Sequence, residues 1–168
     1  MSFSTRFDRL VSAGLIPLLR GGLKGLEKES LRLDATGRIA TTMHPSSLGS
    51  ALTHPHITTD YSEALIELIT PAFNEAELTL NALSDIHRFV LGHLGDEVLL
   101  ATSMPIGIQG DESIPIARYG TSNIGTMKHV YRQGLAWRYG RTMQAIAGLH
   151  YNYSFPEALW PALLALES

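Results

Sequence analysis

Gly25-Leu26-Glu27-Lys28-Glu29-Ser30-Leu31-Arg32-Leu33 is the stretch from which the architecture is read. Gly21-Gly22 precedes it, and the turn-forming run Asp34-Ala35-Thr36-Gly37 follows, so residues 25–33 are expected as a β-strand. Side chains alternate along a strand, so Glu27 and Glu29 point to the same face. Arg38–Thr41 is expected as a second short strand after the turn.

Upstream, Phe7, Leu10, Val11, Leu15, Leu18 and Leu19 recur near helical spacing, which predicts an amphipathic helix over 5–20. Residues 42–59 are rich in Thr, Ser, His, Pro and Gly and read as loop. Tyr61–Thr70 fits a strand, by its length and its β-branched residues, although Asp60, Glu63 and Glu67 also fit one helical face. Asn74 reads as an N-cap, with Glu77 at the capping-box position, opening a helix to about Leu94. Its expected buried face holds Leu78, Leu83, Ile86, Val90 and Leu94. Residues 101–123 read as a long loop or short strands, and Ile124–Tyr139 as a helix. Gln144–Phe155 alternates apolar odd and mostly polar even positions, the clearest strand pattern in the chain. Ser154 and Pro156 suit the start of a last apolar helix running to Ser168.

The chain has 168 residues, with 13 Lys+Arg, 16 Asp+Glu and no Cys. That excludes disulfide scaffolds, thiolate metal sites and a cysteine nucleophile. A net charge of −3 argues against nucleic-acid binding, which needs a basic footprint. No apolar run reaches the roughly 18 residues of a membrane span, and no signal-peptide pattern opens the chain. The charges are segregated. Glu27, Glu29, Asp60, Glu63 and Glu67 come early, whereas no acid lies between Glu112 and Glu157, a stretch holding Arg118, Lys128, Arg132, Arg138 and Arg141.

Gathering Glu27, Glu29, Asp60 and Glu67 is unfavourable without a counter-ion. Two like charges about 4 Å apart repel by about 4 kcal/mol at an effective dielectric near 20. Carboxylates with a nearby His150 suit Mg²⁺ or Mn²⁺ better than a thiolate-seeking metal. An exposed strand face is the competing reading. Lys128 and Arg132 share a helix face, and an Arg there suits a phosphate or carboxylate; a plain surface Arg competes. No Walker loop, dinucleotide fingerprint or nucleophile elbow is present.

Three further runs add specificity: residues 48–54 (Leu-Gly-Ser-Ala-Leu-Thr-His), 57–65 (Ile-Thr-Thr-Asp-Tyr-Ser-Glu-Ala-Leu) and 148–154 (Gly-Leu-His-Tyr-Asn-Tyr-Ser). With 25–32, Ser103-Met104-Pro105 and residues 119–123 (Tyr-Gly-Thr-Ser-Asn), they closely resemble, in order, the start of bacterial glutamate–cysteine ligase. The resemblance implies an α+β, glutamine-synthetase-like carboxylate-amine ligase core: a curved antiparallel sheet with helices packed on one side. It implies a cytoplasmic enzyme that joins the side-chain carboxylate of L-glutamate to the amino group of L-cysteine, using ATP and Mg²⁺ (or Mn²⁺) through an acyl phosphate. Carried over residue by residue, Glu27, Glu29, Asp60, Glu67 and His150 resemble the metal-site side chains. Arg132 resembles the phosphate-facing Arg. Tyr61, Tyr131, Leu135 and Gln144 resemble the wall around the cysteine side chain, with Tyr61 where the family often has Phe. Asn152, by parity, is expected to orient its neighbours on the same strand face.

Family members are much longer, so residues 1–168 are expected as the N-terminal part of a catalytic domain, apparently truncated, and self-association or a completing chain is expected. The competing functional readings are a non-enzymatic module that binds metal, glutamate or a partner chain and, more weakly, a metal-dependent hydrolase.

Overall fold

The computed structural model describes residues 2–167. Its elements in chain order are α1 (Phe3–Ser12), β1 (Leu23–Leu33), β2 (Ile57–Thr59), β3 (Leu65–Ile69), α2 (Ala76–Leu91), β4 (Val98–Leu99), α3 (Asn123–Tyr139), β5 (Leu149–Ser154) and α4 (Leu159–Glu167). The expected α+β class is observed.

β1 organises a five-stranded sheet in which every pairing is antiparallel. One edge pairs with β3, through Glu29↔Glu67 and Leu31↔Leu65, and β3 pairs onward with β2. The other edge pairs first with β5, through Gly25↔Asn152 and Glu27↔His150, and then with β4. Directly paired residues face the same side, so this register sorts the side chains. Leu26, Ile66 and Leu68 join Leu83, Ile86 and Val90 of α2 in one core. Leu31, Leu33, Ala64 and Leu65 build a second core on the opposite face, together with Tyr61, Ile114 and Ala145. Leu135 and Ala136 of α3 pack against that second core. Helices therefore touch both faces, α3 only near the far end of β1.

The departures from the sequence reading have local causes. Residues 5–20 are not one helix: α1 ends at Ser12, Gly14 takes φ +67°, and Ile16–Leu19 is a separate 3₁₀ turn with Pro17 in its first turn. The expected strand over 38–41 is a single bridge, Leu33↔Ile39. β2, expected as loop, and β4, for which the sequence pattern assigns no element, are three and two residues long; pairing with β3 and β1, rather than periodicity, makes them strands. Asn74 is not the N-cap of α2. That position is Glu75, without a side-chain cap bond, while the Asn74 carbonyl accepts from Lys24 Nζ at 2.7 Å. Leu78 is exposed rather than buried.

The strand expected over 144–155 begins only at Leu149. Asp111 accepts the backbone N–H groups of Arg141 and Thr142 and the Thr142 hydroxyl, and Thr142–Ala145 forms a 3₁₀ turn. The apolar odd face of β5 is not core either: Leu149 and Tyr151 are 66% and 61% exposed, while α2 packs over β1 and β3. The last helix starts at Leu159, not beside Ser154, and its expected end at Ser168 lies outside the described residues.

Candidate active site

The sheet face opposite α2 carries the acids. Register places Glu29 opposite Glu67, Glu27 opposite His150, and Thr58 opposite Glu67. Asp60 joins them one step past β2, where its N–H donates to the Leu65 carbonyl. The structure thus gathers Glu27, Glu29, Asp60, Glu67 and His150 on one side of the sheet.

Each acid has a different setting. Glu29 is buried; its Oε2 accepts the Gly148 N–H at 2.7 Å and its Oε1 lies 3.5 Å from His150 Nε2. Burial raises its pKa, opposed first by the Gly148 N–H; the Asp60 charge adds to the rise and His150 counters it. Glu27 Oε1 accepts from Asn152 Nδ2 at 3.0 Å, so Asn152 does hold a neighbour on its own face. Glu67 is pushed up to about 7, by burial first and then by the negative charges of Asp60, Glu29 and Glu27. Gly148 leaves room for the imidazole in this position: a Cβ there would stand 2.5 Å from His150 Nε2, the tip of a half-exposed side chain, and 3.4 Å from Glu29 Oε1. Among the described residues, no three His, Asp or Glu side chains converge into a metal cage as they stand.

The basic stretch meets this face at Asp60. Arg132 Nε donates to the Asp60 main-chain oxygen at 2.6 Å, and Arg132 Nη1 to the Lys128 carbonyl at 3.1 Å. Tyr119 locks the junction. Its hydroxyl donates to the carbonyls of Thr59 and Asp60, while Arg132 Cζ and Lys128 Nζ sit 4.8 and 5.0 Å from its ring centroid. The segregated charges of the sequence thus adjoin in space.

Of the expected side-chain wall, Tyr61 and Leu135 belong to the same core cluster, and Gln144 is half-buried beside its member Ala145. Tyr61 is 2% exposed and its buried hydroxyl has no hydrogen-bond partner. Tyr131 is 62% exposed, one helical turn from Leu135 and apart from the core.

Sequence reasoning missed the buried polar frame behind the site. Arg32 is fully buried, its Nη1 2.6 Å from Glu97 Oε2, and its Nη2 donates to the carbonyls of Thr42 and Glu63. Glu63 is also buried, accepting the N–H groups of His44 and Arg118 at 2.8 and 2.7 Å. The alternation in 25–33 does place Arg32 on the face opposite Glu27 and Glu29, but no local pattern points to Glu97, 65 residues away.

A family model described as glutamate-cysteine ligase matches residues 7–168. The chain belongs to the glutamate–cysteine ligase family. Among its relatives, a glutamate–cysteine ligase of Azotobacter vinelandii is 57% identical over 165 residues, covering 98% of this chain and 31% of the relative. That of Pseudomonas putida strain W619 is 60% identical over 150 residues, covering 89% and 29%. The chain thus spans about three-tenths of the length of these ligases. A crystal structure of the Francisella tularensis glutamate–cysteine ligase in complex with AMP superposes with TM-score 0.84 at 42% identity, over 88% of this chain and 30% of that one. A bifunctional glutathione synthetase from Pasteurella multocida superposes with TM-score 0.80 at 36% identity, over 96% and 20%. In this ligase-family segment, β1, β3 and β5 supply the acidic face and α3 supplies the cations beside it.

Proposed function

We propose that this chain supplies part of the active site for ATP-dependent joining of the glutamate side-chain carboxylate to the cysteine amino group. The observation that carries the reading is the carboxylate face of β1 and β3 meeting Arg132 at Asp60, within a chain 57% identical to a glutamate–cysteine ligase. In the reaction, the γ-phosphoryl group of ATP passes to a glutamate side-chain oxygen and ADP leaves. The cysteine nitrogen then bonds to the acyl carbon, phosphate departs and the amine loses a proton. Negative charge accumulates on the phosphoryl oxygens, so catalysis consists largely of positioning and charge stabilisation.

Arg132 is assigned to those oxygens: its guanidinium is fixed at Nε and Nη1, which orients the remaining edge of the fork toward an anion. Glu27, Glu29, Asp60, Glu67 and His150 are assigned to hold Mg²⁺ or Mn²⁺: they are an oxygen-rich donor set with one imidazole, and a cation drawing them together would relieve the crowding that pushes Glu67 to about 7. Such an ion, when bound, neutralises phosphoryl charge. Tyr61, Tyr131, Leu135 and Gln144 are assigned to the cysteine side-chain wall. L-Glutamate, L-cysteine and ATP are then the ligands, and a free-thiol substrate suits the reducing cytoplasm. The remaining ligands of the site are assigned to sequence beyond these 168 residues or to a completing chain, since the segment covers only 31% of the Azotobacter vinelandii relative.

The test is a chimera in which this segment replaces the matching part of the Azotobacter vinelandii ligase. ADP release that requires both glutamate and cysteine is expected, with a loss of about 100-fold or more in Arg132→Ala. Full coupling retained in both Arg132→Ala and Glu67→Gln would overturn the assignment. ADP release independent of both amino acids would overturn the ligase reading.

A further inference from the structure

A mostly apolar pocket opens on the sheet face away from the acids. Lys28 lies between Glu27 and Glu29 on β1, so its side chain is directed to the α2 side. There it lines a cavity of about 200 Å³ with Ser30, His87, Leu91, Leu99 and Leu100. Lys28 Nζ donates to Ser30 Oγ at 2.5 Å and to the Glu29 carbonyl at 3.3 Å. Ser30 is 1% exposed.

The donors in this cavity outnumber its acceptors. An ammonium carries three N–H groups, and two of those of Lys28 are engaged. Ser30 accepts from Lys28, which leaves its own O–H to donate. No carboxylate pairs with Lys28 among the described residues, in contrast to Arg32 on the same face, which pairs with Glu97. The opposing helix brings no acid; its His87 donates Nδ1–H to the Leu83 carbonyl, which leaves Nε2 as an acceptor against the free Lys28 N–H and the Ser30 O–H. The rest of the wall is leucine and one alanine, Ala101. A half-buried cation without a counter-ion, beside a buried hydroxyl and an aliphatic wall, matches an anion with an aliphatic tail.

We propose that this cavity is a binding site for a short aliphatic carboxylate, its head on Lys28 Nζ and Ser30 Oγ and its tail on Leu91, Leu99 and Leu100. The carboxylate completes the donor set, and the leucines favour it over a compact inorganic anion. The site is separate from the acidic face and does not depend on the ligase reading.

The chain has three lysines, Lys24, Lys28 and Lys128, so selective ¹⁵N-lysine labelling gives three backbone amide signals to follow. Titration with sodium 4-methylpentanoate at constant ionic strength is expected to move the Lys28 signal saturably and leave Lys128 in place. Calorimetry with the same probe is expected to show about tenfold weaker binding in Ser30→Ala and none in Lys28→Met. The neutral 4-methylpentanamide and sodium phosphate are expected to bind at least about tenfold more weakly. Equal binding of the amide, equal binding of phosphate, or no saturable Lys28 shift would each overturn the proposal. Should Lys28→Met fail to fold, Ser30→Ala and the amide control still decide it.

Discussion

Glu67 is the residue whose charge most depends on its neighbours. Its folded-state pKa is raised from the usual 4.5 to about 7, so the folded chain keeps a proton that the unfolded chain has already released. The stability this gives is complete below about pH 4.5 and is lost as pH rises through about 7. Thermal unfolding followed from pH 4.5 to 8 is expected to show this decline, and Glu67→Gln is expected to flatten it. An unchanged slope in the variant would show that another group carries the dependence. Gly148 sets a steric condition at the same face. Gly148→Ala places a methyl 2.5 Å from His150 Nε2, the tip of a half-exposed side chain, and is expected to turn the imidazole away from Glu29 at a cost below about 1 kcal/mol in urea titrations. Tyr61 shows the opposite effect. Its buried hydroxyl has no partner, so Tyr61→Phe is expected to raise the stability of the ligand-free chain by about 1 kcal/mol. The sequence flagged Tyr61 through its resemblance alone; its burial beside Ile114 and Ala145 arises from contacts distant in the chain.

At the scale of elements, β1 does two jobs with one alternation. Glu27 and Glu29 face the acidic side, while Lys28, Ser30 and Arg32 face the other. Its far end is anchored by the Arg32–Glu97 pair, in which the Arg side chain is 1% exposed. Truncating Arg32 leaves Glu97 without its cation, so Arg32→Ala is expected to cost about 3–5 kcal/mol, read from denaturant midpoints. A double variant, Arg32→Met with Glu97→Leu, is expected to recover part of that loss, because the Thr42 and Glu63 carbonyls still lose their donor. The strand itself was legible because alternation and flanking turns are local. β2 and β4 were not: with three and two residues, they have too little periodicity to register, and hydrogen bonds to β3 and β1 create them. The helix expected across 5–20 failed for a similar reason, since apolar spacing persists through the break at Gly14 while the backbone turns there.

At the scale of the molecule, one edge of the sheet is open. β5 pairs only with β1 among the described strands and exposes Leu149 and Tyr151. An unpaired edge with apolar side chains favours strand-to-strand association of two copies. Sedimentation velocity of the 168-residue chain is therefore expected to show concentration-dependent dimers, reduced in Tyr151→Lys. No helix among the described residues is long and apolar enough to cross a membrane.

The sequence by itself determined the α+β class, the alternation of β1, the helical character of residues 123–139 and, through its ordered motifs, membership of the ligase family. These rest on local patterning and on residue identity, both of which are carried within a few residues of chain. Only the tertiary structure decided that Asn152 holds Glu27 across 125 positions, that Gly148 holds Glu29 across 119, and that Arg132 is bonded to Asp60 rather than free in solvent. It also decided that the apolar face of β5 is open and that Lys28 has a serine, not a carboxylate, beside it. The reason is physical: strand register and helix docking follow from summed burial across distant segments, which no short window of sequence contains.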